Sequence, residues 1–143
     1  MNVAMNASLL TIAVATIAAW LFGAAWYGLL GKQWMAASGL TAEDIKGPDG
    51  KQSPAPFIIS LVLEFVMAYV LAALFLHMGE AAPSLGTALS AAFFLWLGFV
   101  ATTLTVNHRY SLAPWRLTFI DGGHWLGVLL IQAAIMAMMG LRA

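Results

Sequence analysis

The chain has 143 residues, of which 62% are hydrophobic and 8% charged, and its formal net charge is zero. Soluble domains carry roughly 25% charged residues, so this is the composition of a membrane protein. The neutral balance argues against a nucleic-acid surface, which needs clustered Lys and Arg, and the absence of Cys excludes disulfides, thiolate metal sites and cysteine nucleophiles.

The first apolar run, about residues 8–30, is long enough to cross roughly 30 Å of hydrocarbon. Met1 to Ala7 contains no Lys or Arg, whereas a secretory signal begins with a basic segment, so a retained helix is expected. Ala15, Ala19 and Gly23 recur at four-residue spacing as a ridge for close helix packing, and Trp26 and Tyr27 mark the interfacial end. Residues 31–55 then form the one sizeable aqueous loop, with Lys32, Glu43, Asp44, Lys46, Asp49 and Lys51 and the turn cluster Gly47-Pro48-Asp49-Gly50. Thr41-Ala42-Glu43-Asp44 has the form of a helix N-cap, so a short surface helix is expected there.

A second span, about 56–77, contains one charge, Glu64, on a row with Ser60, Ala68 and Ala72 that should face other helices. The third, about 85–106, carries Gly86, Ser90, Gly98 and Thr102 on a similar row and ends in Thr103, Thr105 and Asn107. The connector holds His108, Arg109 and Arg116. The fourth span, about 117–139, carries Asp121 and His124, which share a face with Val128, Gln132 and Met139.

The expected fold is therefore all-α: an integral membrane four-helix bundle of two transmembrane hairpins in one domain. Lys32, Lys46, Lys51, Arg109 and Arg116 fall in the two loops on one side and Arg142 alone on the other, which places those loops in the cytoplasm and both termini outside. At about 1.5 Å per residue, Glu64, Asp121 and His124 lie about 6 to 12 Å from the cytoplasmic helix ends. They are expected to form one polar layer with Thr102, Thr103, Tyr27 and the deeper Trp20. Asn107, His108, Arg109 and Arg116 stand at its mouth, His108 solvated.

Intramembrane ionisable groups usually face the bundle interior and pair with one another. Such a layer serves either as a network that fixes helix register or as a path for protons or a small cation. A metal-dependent enzyme is the weaker alternative, with Asp121, His124 and Glu64 as ligands. Asp121-x-x-His124 puts two ligands on one face, but di-metal bundles use two such motifs. No cofactor is expected, and a non-enzymatic role is favoured. Beyond the lipid bilayer, the expected partners are further copies of the chain or a larger membrane complex, in which it would serve as an accessory subunit; no nucleic acid is expected.

Several stretches carry a resemblance: Trp26-Tyr27-Gly28, Gly31-Lys32-Gln33-Trp34, Gly39-Leu40-Thr41 followed by Glu43-Asp44, Gly98 to Thr103, and Asp121 to Leu126. Together they resemble the "domain of unknown function 1761" family of small bacterial membrane proteins over nearly the whole chain. The resemblance implies four spans and a bacterial cytoplasmic (inner) membrane, and supplies no activity. Asp121 stands where many members of that family are associated with Asn.

Overall fold

The computed structural model describes residues 7–142; the segment before the first span that bears on the signal-peptide question, Met1–Asn6, lies outside them. Four long helices follow one another: α1 (Leu9–Ser38), α2 (Ala55–His77), α3 (Leu85–Tyr110) and α4 (Trp115–Met139). Each is long and apolar enough to cross a membrane, as expected for an all-α multi-pass protein.

Local chemistry sets the ends. Ser8 and Ser84 cap α1 and α3, their side-chain oxygens accepting from the Thr11 and Thr87 amides at 3.3 and 3.1 Å. Gly39 closes α1 in the left-handed region at φ 75°, its N–H bonded to the Met35 carbonyl. The helix thus runs eight residues past Leu30, through sequence read above as loop. Lys32 and Gly31 are both compatible with a helix interior; what ends α1 is Gly39, which takes up the left-handed conformation.

The Thr41–Asp44 segment is a turn and not the short helix expected. The Thr41 amide and hydroxyl both donate to Asp44 Oδ2, at 2.7 and 2.8 Å. These bonds, the backbone one foremost, hold the Asp44 carboxyl below its ordinary value of 3.8. Because the ionised form is the one bonded, the turn keeps its full strength above the ordinary carboxylate range and loses it only as pH falls through the lower folded value. In an NMR titration, Asp44 should protonate below 3.8, and Thr41→Ala should move it back toward that value.

Within the bundle, α4 is the central element. It packs along α1 and α3 and touches α2, while α1 also packs on α2. The densest core lies at the end that holds both termini, where Ile12, Ala15, Leu71, Ala72, Phe75, Ala92, Ala133 and Met136 interdigitate. Backbone bonds staple that end: Ser8 N–H donates to the Leu141 carbonyl at 2.7 Å, and Leu141 N–H donates to the Ala81 carbonyl at 2.8 Å. Thr11 adds its hydroxyl to the Gly140 carbonyl at 2.8 Å.

The ridges of α1 and α2 are buried as expected, with Ala15, Ala19 and Gly23 on one and Glu64, Ala68 and Ala72 on the other. On α3 the outcome is reversed. Gly86, Ser90, Gly98 and Thr102 are exposed, and a Cβ at Gly86 or Gly98 would meet nothing within 4 Å. The row that faces inward is Ala88, Ala92 and Trp96, whose indole donates to the Gly122 carbonyl at 2.9 Å. Two rows of small residues compete on this helix, and the tryptophan bond selects between them.

A π-helical segment, Trp96–Ala101, interrupts α3. From Ala88 to His108 there are five steps of four residues, which in a regular α-helix rotate the row by about 200° and turn His108 away from α4. The wider π turns undo part of that rotation. Leu104 consequently remains against Gly122, and His108 meets Thr118.

Candidate functional site

The site lies at the end of the bundle that carries the long loop and is organised about Asp121. This carboxylate is largely buried, its side chain 18% exposed. The Tyr27 hydroxyl donates to Asp121 Oδ1 at 2.7 Å, and His108 Nε2 stands 3.8 Å from Oδ2. Three helices therefore meet on one side chain.

The neighbours fix its position. The Trp26 indole donates to the Ile120 carbonyl at 3.0 Å and the Trp96 indole to the Gly122 carbonyl, so the backbone on either side of Asp121 is gripped from α1 and α3. Gly123 permits this approach, since a Cβ there would come within 2.9 Å of the Trp26 ring. Thr118, one turn earlier on α4, bridges His108 and Arg109: its hydroxyl oxygen is 2.9 Å from His108 Nδ1 and accepts from Arg109 Nη2 at 2.9 Å. With its oxygen engaged by Arg109, Thr118 is placed to donate to Nδ1, which leaves the imidazole proton on Nε2, toward Asp121. The Arg109 guanidinium also covers the Trp115 ring at 3.8 Å.

His124 sits one turn deeper and is buried. Its ring lies 4.9 Å from Tyr27 and 4.6 Å from Trp125, and stacks on Phe22 at 6.2 Å. Gly23 makes room for it, because a Cβ there would be 2.8 Å from His124 Nε2. Among the described residues, Nδ1 has no hydrogen-bond partner.

Glu64 forms a separate station. It is 1% exposed, facing the bundle as expected, and its Oε2 has no partner among the described residues. Its backbone carbonyl accepts from the side-chain amide of Gln132 at 3.0 Å, and Gln132 is itself wholly buried with Oε1 unpartnered. Gln132 is eight residues beyond His124 and eleven beyond Asp121, about 12 and 16 Å along the helix. The single layer read from the sequence thus divides in two: Tyr27, Asp121, His108 and His124 together, Glu64 and Gln132 deeper. Among the described residues no hydrogen bond or ion pair joins Glu64 to His124.

The remaining candidates distribute as follows. Trp20 ties α1 to α2, donating to the Phe57 carbonyl at 3.0 Å and Ser60 Oγ at 3.1 Å. Thr102 and Thr103 are exposed, Thr102 returning its hydroxyl to the Gly98 carbonyl at 2.8 Å, so neither faces the cluster. Both lie past the π segment, which alters which side of α3 each residue presents. Of the mouth residues, His108 and Arg109 turn inward while Asn107 and Arg116 are exposed. His108, expected to be solvated, has a side chain only 15% exposed. Among the described residues no three of His, Asp and Glu converge as metal ligands, and Glu64 is too far from Asp121 to complete such a set.

Thr118 and Gln132 join the site without having been singled out for it. Thr118 precedes Asp121 by three residues, and Gln132 follows His124 by eight, so helical spacing alone put both on the Asp121 face.

A family model described as "Protein of unknown function (DUF1761)" matches residues 10–137. No curated protein and no solved structure matches.

Proposed function

The chain belongs to the DUF1761 family, and on that premise we propose that it is a multi-pass membrane protein that takes up and passes protons through its buried polar layers. The single observation that supports this best is the contact of His108, Tyr27 and Asp121 across three helices, with His124 one turn deeper. An imidazole stands at the entrance, a carboxylate lies beside it to receive a proton, and a phenol fixes the carboxylate's orientation.

Glu64 provides the second station. An ionised carboxylate with an unpartnered oxygen at that depth is costly, and a bound proton or small cation offsets the cost. Beyond it lies the apolar core around Phe75 and Met136, the barrier a passing proton must cross to reach the opposite end. By the distribution of Lys and Arg, the entrance faces the cytoplasm, in this proposal that of a bacterial inner membrane.

The test is proton uptake by liposomes containing the purified full chain, driven by a potassium diffusion potential and read with an enclosed pH dye. Asp121→Asn should lower the protein-dependent rate by about a hundredfold, the scale at which one positioned proton-transfer group acts. Far-UV circular dichroism should show the helices retained. Uptake equal to that of empty liposomes in the wild type, or an unchanged rate in Asp121→Asn, removes the proposal.

A second role, as a self-associating or accessory subunit, is supported by the outward row of Gly86, Ser90, Gly98 and Thr102 on α3. Small residues on an unpartnered face permit close approach of another membrane helix. A stoichiometric partner recovered in mild detergent, or a homo-oligomer lost in Gly98→Leu, is the expected result. A monomer without a partner speaks against it.

A further inference from the structure

A groove of about 550 Å³ runs between α1 and α4 at the loop end, apart from the buried polar layers of Asp121 and Glu64. One wall is the face of α1 carrying Trp26, Leu30 and Gln33. The other is the first turns of α4, where Trp115, Arg116, Phe119 and Ile120 line it.

Its chemistry is two-sided. The body of the groove is aliphatic and aromatic, so a small hydrated anion gains little by entering. Arg116, the one charged residue in the lining, is exposed and makes no hydrogen bond or ion pair among the described residues. Arg109, by contrast, is held by Thr118 and stacked on Trp115. No acidic residue lines the groove to neutralise Arg116. Gln33 adds an amide donor on the facing wall.

Position narrows the occupant further. Arg116 and Trp115 are the first two residues of α4, at the level where interfacial aromatics and basic side chains meet lipid headgroups. Leu30, Phe119 and Ile120 line the same space. A ligand that satisfies both parts carries a negative phosphate and a hydrocarbon chain in one molecule. We infer that the groove between α1 and α4 is a binding site for one anionic phospholipid, its phosphate held by Arg116 and Gln33 and an acyl chain laid against Leu30, Phe119 and Ile120.

The experiment uses the full chain in detergent, exposed to equal amounts of phosphatidylglycerol and phosphatidylcholine of identical acyl composition, with retained lipid counted by native mass spectrometry. The wild type should keep phosphatidylglycerol in preference by about fivefold, the factor contributed by one cation near an anionic surface. Arg116→Gln should bring that ratio to about one, whereas Arg142→Gln, at the other end of the bundle, should leave it unchanged. Leu30→Trp, which fills the groove, should lower retention of both lipids. Because Arg116 is exposed, its replacement does not endanger folding. Equal retention of the two lipids by the wild type, or an unaltered preference in Arg116→Gln, overturns the assignment. Glycerol phosphate should fail to displace the bound lipid; displacement would mean that a headgroup-sized anion alone is recognised, and would overturn the acyl-chain half of the claim.

Discussion

Leucine in place of Gly127 is expected to separate α1 from α4 and to lower stability more than any other single change at this interface. A Cβ at position 127 overlaps the Phe22 ring, and the ring cannot swing freely because it also packs against Trp26, at 5.6 Å, and against His124. Overpacking a well-filled interior costs typically about 1–3 kcal/mol, and leucine adds three further carbons beyond the Cβ that already overlaps. Thermal unfolding in detergent, followed by circular dichroism, should show the loss. Phe22→Ala in the same chain should restore much of it, since the space the leucine needs is then vacated. Gly28→Ala, whose Cβ meets nothing within 4 Å, should not lower the midpoint and should raise it slightly, because alanine is the better helix former. Equal effects at Gly127 and Gly28 would mean that helix propensity and not the α1–α4 contact governs these positions.

Glu64→Met should do the opposite, raising stability by about 1–4 kcal/mol while abolishing the deeper proton station. Methionine fills a similar volume and removes a carboxylate whose Oε2 has no partner among the described residues. Replacing poorly compensated buried charge with an apolar side chain of similar size is commonly neutral or stabilising on that scale. The Gln132 bond goes to the Glu64 backbone carbonyl and survives the substitution. A gain in thermal midpoint together with lost proton uptake is the signature of a residue retained for activity at the expense of stability. A fall in the midpoint would identify Glu64 as a structural partner and would weaken the second station, leaving the Asp121 site to be judged by its own variant.

These two positions also show where sequence suffices. That Glu64 faces the bundle follows from its spacing with Ser60, Ala68 and Ala72, because in lipid a carboxylate on any other face is too costly to be stable. The four spans follow from length and hydropathy alone, since a bilayer accepts no unpaired backbone and so admits little besides helices. The shared face of Asp121, His124 and Gln132 is likewise fixed by helical periodicity. Gly127 is different. Its glycine is visible in the chain, but that Phe22 lies against it depends on how α1 is placed along α4.

Depth is not legible in the sequence for the same reason. Counting residues from the helix ends put Glu64 level with His124, yet α2 is offset so that Glu64 meets Gln132 instead. An axial shift between helices leaves each helix's own pattern unchanged, so nothing in the sequence records it. The π segment of α3 is a second case: Thr102 and Thr103 share an apolar helix with His108, and only the local unwinding at Trp96–Ala101 decides that His108 turns inward while the threonines remain outside. Composition and spacing set the four spans, the buried face of α1, α2 and α4, and the presence of ionisable groups within the spans, because burial in hydrocarbon constrains each helix separately. The tertiary structure alone decided which of those groups touch, because rotation and axial offset between helices are set by interlocking side chains contributed from different parts of the chain.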